Sequence, residues 1–124
     1  MIYDPIRKKK VPETPEEKVR QWFIQQLLQK NITPVKIQVE YSFKVGLLYK
    51  RADLIVFDNA YNPKIVIECK APNVAITQKT LNQVSVYNLH LKAPFLIVTN
   101  GMETLMYQVD FQNKTTQQIF DFPI

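Results

Sequence analysis

The sequence predicts an α/β fold in which a mixed β-sheet of five to six strands is flanked by two helices, in the order α-β-β-β-α-β-β-β. Three observations lead to this prediction. A capped amphipathic segment precedes the strands, and residues 35–45 alternate between apolar and polar side chains. Residues 65–67 and 95–98 are apolar throughout, so their strands need cover on both faces of the sheet.

The first helix is predicted in the segment TPEEKVRQWFIQQLLQK, which begins at Thr14. Thr14 is a suitable N-cap, Pro15 fits the first helical position, and Glu17 completes a capping box with Thr14. Apolar side chains then recur at helical spacing. Pro34 discourages continuation, so the helix is expected to end near Asn31.

The next three strands are predicted in VKIQVEYSFKV, LYKRADLIVFD and KIVIECK, with Gly46 and the segment DNAYNPK as the turns between them. Strict alternation in the first strand implies one apolar face. The residues expected on that face are Val35, Ile37, Val39, Tyr41 and Phe43.

The second helix is predicted in NVAITQKTLNQVSVYNLHLK, where it would cross over between two strands of the sheet. The segment APFLIVTN follows as a strand, and Asn100-Gly101 is a hairpin signal. The segments TLMYQVDF and TTQQIFDF then form an antiparallel pair. The apolar positions of the helix are Ile76, Leu81, Val84, Val86, Leu89 and Leu91.

Composition excludes several classes of function. The length of 124 residues fits a single domain, residues 1–124. Two glycines are too few for a glycine-rich phosphate loop, so no nucleotide is expected, and one cysteine with one histidine makes a zinc site improbable. No apolar run is long enough for a membrane span, and no apolar stretch follows the basic start, so a cytoplasmic protein is expected.

Residues 1–13 are interpreted as a basic N-terminal arm, because Arg7 to Lys10 form a block of four cations. The net charge of +5 permits an anionic partner without proving one. The arm is either a solvated segment that aids solubility or a contact to backbone phosphates, and the sequence leaves both readings open.

A candidate metal site is predicted where charged residues interrupt apolar strands. Glu68 and Lys70 project from the same face of one strand, about 7 Å apart, and Asp53 is a lone acid in the preceding strand. Antiparallel pairing would bring Asp53 beside Glu68. Two such carboxylates repel unless a cation lies between them, and Mg²⁺ or Mn²⁺ takes oxygen ligands, which the backbone carbonyl of Cys69 could complete. Lys70 would then lie beside the bound water.

At these residues the chain resembles the PD-(D/E)xK nuclease superfamily, and more narrowly the N-terminal nuclease domain of type I restriction enzyme R subunits, as a stand-alone version. The resemblance rests on RAD with Asp53, IECKAP with Glu68 and Lys70, and QVSVY with Gln83 and Tyr87. Ala52 replaces the proline of the superfamily name. A restriction-endonuclease-like fold over about residues 4–122 is what this resemblance implies.

The resemblance implies a Mg²⁺-dependent endodeoxyribonuclease in which Asp53, Glu68 and Lys70 are catalytic. It also implies an auxiliary glutamate on the first helix; Glu16 is preferred because it shares a face with Val19 and Phe23, and Glu17 is the alternative. Gln83 and Tyr87 share one face of the second helix. The resemblance places that face near Lys70, where the two side chains would contact the nucleic-acid backbone or orient the site.

DNA is the expected partner, bound through its phosphates with low sequence specificity, and Lys50 and Arg51 are further candidate contacts. A homodimer or a partner subunit would be compatible with a chain of this size. The sequence leaves open DNA against RNA, and endonuclease against exonuclease action. The alternative function is a non-catalytic module that binds nucleic acid or a partner protein on the same fold.

Overall fold

A computed structural model describes residues 1–123 of the chain. Within this range the chain forms two helices, a short 3-10 helix and eight strands. Their order is β1 (Ile2–Asp4), β2 (Lys9–Val11), α1 (Pro15–Gln29), the 3-10 helix (Pro34–Lys36), β3 (Ile37–Val45), β4 (Leu48–Phe57), β5 (Pro63–Cys69), α2 (Gln78–Leu91), β6 (Phe95–Thr99), β7 (Thr104–Asp110) and β8 (Thr115–Ile119).

The main sheet has six strands in the order β3-β4-β5-β6-β7-β8. Only β5 and β6 pair in parallel, and α2 makes the crossover between them. The predicted mixed sheet and its two helices are therefore confirmed. The N-terminal hairpin of β1 and β2 was not predicted, because strands of three residues are too short to show periodicity.

Helix α1 begins as predicted, since the Thr14 side chain accepts a hydrogen bond of 3.1 Å from the Glu17 backbone N–H. The reciprocal half of the expected capping box is replaced. The Glu17 carboxylate is buried and forms ion pairs with Arg7 and Arg20. Tertiary charge pairing therefore outweighs the local capping interaction of Glu17.

Each face of the sheet carries its own apolar core. One core packs under α1 and the other under α2, so β5 is covered on both sides as its apolar sequence predicts. The α1 core includes Phe23, Leu27, Leu54, Ile65, Ile67 and Cys69, and the α2 core includes Ala52, Ile55, Val66, Val84, Leu96 and Val98.

The predicted single apolar face of β3 is wrong. Val39 packs against the α1 core, whereas Tyr41, two residues further on, packs against the α2 core. Residues two apart in a regular strand share a face, so the strand switches faces at Glu40, whose φ is +53°. The paired strand β4 switches at the same level, because Leu54 and Ala52 also lie in different cores. The interruption lies beside Asp53.

Helix α2 is shorter than expected and begins at Gln78, after the N-cap Thr77. Of the apolar positions of this helix, Val86 and Leu89 are exposed. The polar Asn88 lies between them in the sequence and is buried, and its side chain accepts from the Ala93 N–H and donates to the Ala93 carbonyl, both at 2.8 Å. No helix among the described residues is long and apolar enough to cross a membrane.

Replacing Asn88 with alanine is expected to destabilise the protein by about 1–3 kcal/mol, because two buried backbone groups of Ala93 lose their partner. Urea unfolding monitored by circular dichroism measures the change. Asn82→Ala, at an exposed position of the same helix, is the matched control and should be nearly neutral. Equal midpoints for the two variants would contradict this account of the helix end.

Candidate active site

The antiparallel register of β4 and β5 places Asp53 beside Glu68. Leu54 pairs with Ile67, so the next residues outward along the two strands are Asp53 and Glu68. One Asp53 oxygen, Oδ2, accepts a hydrogen bond of 2.8 Å from the Cys69 backbone N–H. The carboxyl group of Asp53 is thereby held against the end of β5.

Glu68 and Lys70 form an ion pair in the same place. The Lys70 Nζ lies 3.7 Å from Glu68 Oε1, and the other carboxylate oxygen, Oε2, is buried without a hydrogen-bond partner among residues 1–123. Burial first, and then the charge of Asp53, raises the pKa of Glu68 to about 8. Burial also raises the pKa of Asp53, although the Cys69 N–H and the charges of Arg20 and Lys70 oppose that shift.

This donor set fits a hard divalent cation. Two carboxylates whose ionised forms are disfavoured by burial gain most from a cation placed between them, and the unpartnered Glu68 Oε2 supplies a free oxygen. Within residues 1–123, however, no three His, Cys, Asp or Glu side chains are grouped to hold a metal. The remaining ligands would come from a backbone carbonyl such as that of Cys69 and from water, and Mg²⁺ ordinarily keeps several waters.

The two glutamates in the first turn of α1 have different surroundings. Glu17 is buried among arginines, so the expectation that Glu16 occupies the packed face of the helix is wrong. Glu16 is exposed, yet it lies close enough to the site for the charge of Asp53, after burial, to raise the pKa of Glu16. Within residues 1–123, Glu16 is therefore the acid of this helix turn that forms no ion pair and still senses the charge of Asp53.

Arg20 is a site residue that the sequence reasoning missed. Its side chain is only 10% exposed and extends from α1 toward three acids. Nε lies 3.0 Å from Glu17 Oε2, and Nη1 lies 3.6 Å from Glu40 Oε1 and 3.8 Å from Asp53 Oδ1. The available signal was its position four residues after Glu16, on the buried side next to Val19.

The predicted substrate-side residues lie around the hairpin of β3 and β4. Gln83 Nε2 donates to the Tyr87 hydroxyl at 3.0 Å, and the Tyr87 ring packs edge-on against Phe43 with centroids 6.0 Å apart. Lys50 Nζ lies 6.0 Å from the Tyr87 ring centroid. Arg51 is exposed and pairs with Glu40 at 2.7 Å. Gln83 therefore contacts Tyr87, and Tyr87 in turn packs against this hairpin.

The predicted basic arm requires a correction at Arg7. Its guanidinium binds Asp4, Glu17 and Glu40, so it is not available for a phosphate. Sequence alone could not reveal this, because Glu40 is 33 residues away along the chain. Lys8, Lys9 and Lys10 remain exposed.

Comparison with known proteins agrees with this architecture. The chain is similar in structure to a fragment assigned to an HsdR subunit of a type I restriction enzyme from Vibrio vulnificus YJ016, with a TM-score of 0.65 and 21% sequence identity over 92% of this chain. It spans about a quarter of that fragment, 24% of its length. No curated protein matches the sequence significantly.

The fold is thus the α/β fold of that restriction-enzyme fragment, with a carboxylate and lysine cluster where β4 meets β5. Residues 15–123 match the family described as type I restriction enzyme R protein N terminus (HSDR_N). The match covers most of the chain, and the protein belongs to this family.

Proposed function

We propose that this domain is a metal-dependent nuclease that hydrolyses phosphodiester bonds of DNA. The observation that carries the proposal is Glu68, whose Oε2 is buried without a hydrogen-bond partner among residues 1–123. The carboxylate of Glu68 lies next to Asp53, and its other oxygen, Oε1, is 3.7 Å from Lys70 Nζ. A folded domain rarely leaves a carboxylate oxygen buried without a partner, because desolvation is costly. A functional ligand at that oxygen accounts for the arrangement.

In this mechanism Asp53, Glu68 and the carbonyl of Cys69 would hold Mg²⁺ or Mn²⁺. The bound ion would lower the pKa of a water ligand and neutralise charge on the phosphate. Lys70 orients the attacking water and stabilises negative charge on the phosphate in the transition state. Glu16, at the start of α1, would serve as an auxiliary acid, since the charge of Asp53, after burial, raises its pKa.

Substrate binding is assigned to cations near the site. Lys50 and Arg51 contact phosphates, and Gln83 and Tyr87 support the hairpin that carries them. Phosphate contacts carry no sequence information directly, so specificity is low and binding weakens with salt.

A second candidate is a non-catalytic module on the same fold. It is favoured by one observation, the lack of three metal-binding side chains grouped together within residues 1–123. The two candidates differ in divalent-metal binding, which calorimetry measures. A nuclease site should bind Mg²⁺ or Mn²⁺ and lose it in Asp53→Ala, whereas a module that merely retains the acids should be indifferent.

Lys70→Ala is expected to lower the rate of plasmid cleavage in Mg²⁺ or Mn²⁺ by roughly a hundredfold, because the transition state loses a preorganised cation. Glu68→Ala and addition of chelator should abolish cleavage. Lys64→Ala is the matched control, since it removes a lysine near the start of β5, whereas Lys70 directly follows the end of that strand. Cleavage by Lys70→Ala at the rate of the parent chain, or any cleavage by Glu68→Ala or in chelator, would refute the mechanism.

A further inference from the structure

The hairpin of β3 and β4 ends in a tip of exposed apolar residues. Leu47 is 95% exposed, Leu48 62% and Tyr49 72%. Gly46, at φ +63°, makes the turn, and a Cβ there would meet no atom within 4 Å. Three consecutive exposed apolar side chains on a projecting turn cost solubility, so a partner that covers them is expected.

The charge of the hairpin selects the kind of partner. Residues 41–51 contain three cations, Lys44, Lys50 and Arg51, and no acid. Lys44 Nζ lies 5.4 Å from the centroid of the Tyr49 ring, so positive charge borders the apolar tip directly. A polyanion with apolar surface between its charges complements this arrangement.

The hairpin is anchored a few residues before its tip, next to the candidate active site. Arg51 precedes Asp53 by two residues and pairs with Glu40 at 2.7 Å. On the other side, Phe43 packs against Tyr87 of α2. The tip residue Leu48 is five residues from Asp53, about 17 Å along an extended strand.

We propose that this hairpin is a duplex-DNA-binding ribbon whose tip enters the major groove while Lys44, Lys50 and Arg51 contact the flanking phosphates. The major groove of B-form DNA is about 12 Å wide and admits a two-stranded β-ribbon, and its thymine methyl groups accept apolar contacts. The deep, narrow major groove of A-form RNA does not admit side chains. The ribbon therefore selects duplex DNA over duplex RNA. This inference deepens the proposed function and rests on it.

Binding measurements on the whole chain test the ribbon separately from cleavage. The triple variant Leu47→Ser, Leu48→Ser, Tyr49→Ser is placed in a Lys70→Ala background, and fluorescence anisotropy follows a short labelled DNA duplex. We expect the affinity for duplex DNA to fall about tenfold, with binding of single-stranded DNA unchanged. The matched control, Val86→Ser with Leu89→Ser, removes exposed apolar side chains from α2 and should bind as the parent does.

The cations of the ribbon have their own measurement. Lys44→Ala with Lys50→Ala should lower the slope of log affinity against log salt concentration by about 2, roughly one for each lost phosphate contact. Circular dichroism is the control for folding. We expect the spectra of these variants to match that of the parent, because the substituted side chains lie at or next to the exposed tip.

The ribbon would be overturned if the Lys70→Ala parent did not bind duplex DNA, or if the tip variant bound duplex DNA as tightly as that parent. It would also be overturned if the tip variant lost single-strand and duplex binding equally, or if the parent bound RNA and DNA duplexes equally well. Binding to anionic phosphatidylserine vesicles that depends on the tip would overturn it as well. Tip-dependent duplex binding by a parent chain that never cleaves would refute the proposed nuclease and leave the ribbon standing. Cleavage by the unsubstituted chain, together with unchanged duplex affinity in the tip variant, would refute the ribbon and leave the proposed nuclease standing.

Discussion

Arg7→Ala is expected to be among the most destabilising single substitutions in this chain, at about 3–5 kcal/mol. The Arg7 guanidinium binds the carboxylates of Asp4, Glu17 and Glu40, and the Asp4 side chain is 0% exposed. Burial alone would raise the pKa of Asp4, but hydrogen bonds from the Arg7 backbone and side chain lower it overall. Without Arg7 a charged carboxylate stays buried with no counter-ion, which is the costly outcome.

Urea unfolding at neutral pH measures this loss. Lys9→Ala removes a neighbouring cation that is exposed, and it should stay within about 0.5 kcal/mol of the parent. Arg7→Lys keeps the charge but loses the planar fork, so an intermediate loss is expected. Equal midpoints for Arg7→Ala and Lys9→Ala would show that the ion pairs do not stabilise the fold.

The second large effect is a pH dependence that Glu68 imposes on the metal-free protein. Its pKa is about 8 in the folded state against an ordinary value of 4.5. A raised pKa means that the folded state binds the proton more tightly than the unfolded state does. The stabilisation from protonated Glu68 is complete below pH 4.5 and is lost as pH rises to about 8, by on the order of a few kcal/mol.

Urea unfolding in chelator at several pH values between 4.5 and 9 tests this expectation. Glu68→Gln keeps a neutral side chain of the same shape, so its stability should decline far less over that interval and exceed that of the parent at pH 9. The control is Glu103→Gln, at an exposed position, which should decline as the parent does. A parent whose stability is flat between pH 5 and pH 8 would refute the burial of a neutral Glu68.

Much of the fold could be predicted from local sequence. Thr14 and Pro15 fixed the start of α1 because caps act through neighbouring backbone groups. The apolar residues around Ile65 and Val98 predicted strands covered on both faces. The spacing of Glu68 and Lys70 predicted neighbouring side chains, and the two form an ion pair at the end of β5, because side-chain alternation along an extended chain is local geometry.

The partners of the charged residues were decided only by the tertiary structure. Arg7 meets Glu40, 33 residues away, and Arg20 reaches Asp53 across the packing of α1 on the sheet. The face switch at Glu40 likewise depends on a left-handed backbone conformation that the alternation of residues 35–45 did not signal. Periodicity records which side chains are buried, because burial repeats with the geometry of the element. Ion pairs join distant segments, so they are set only when helices and sheet have packed.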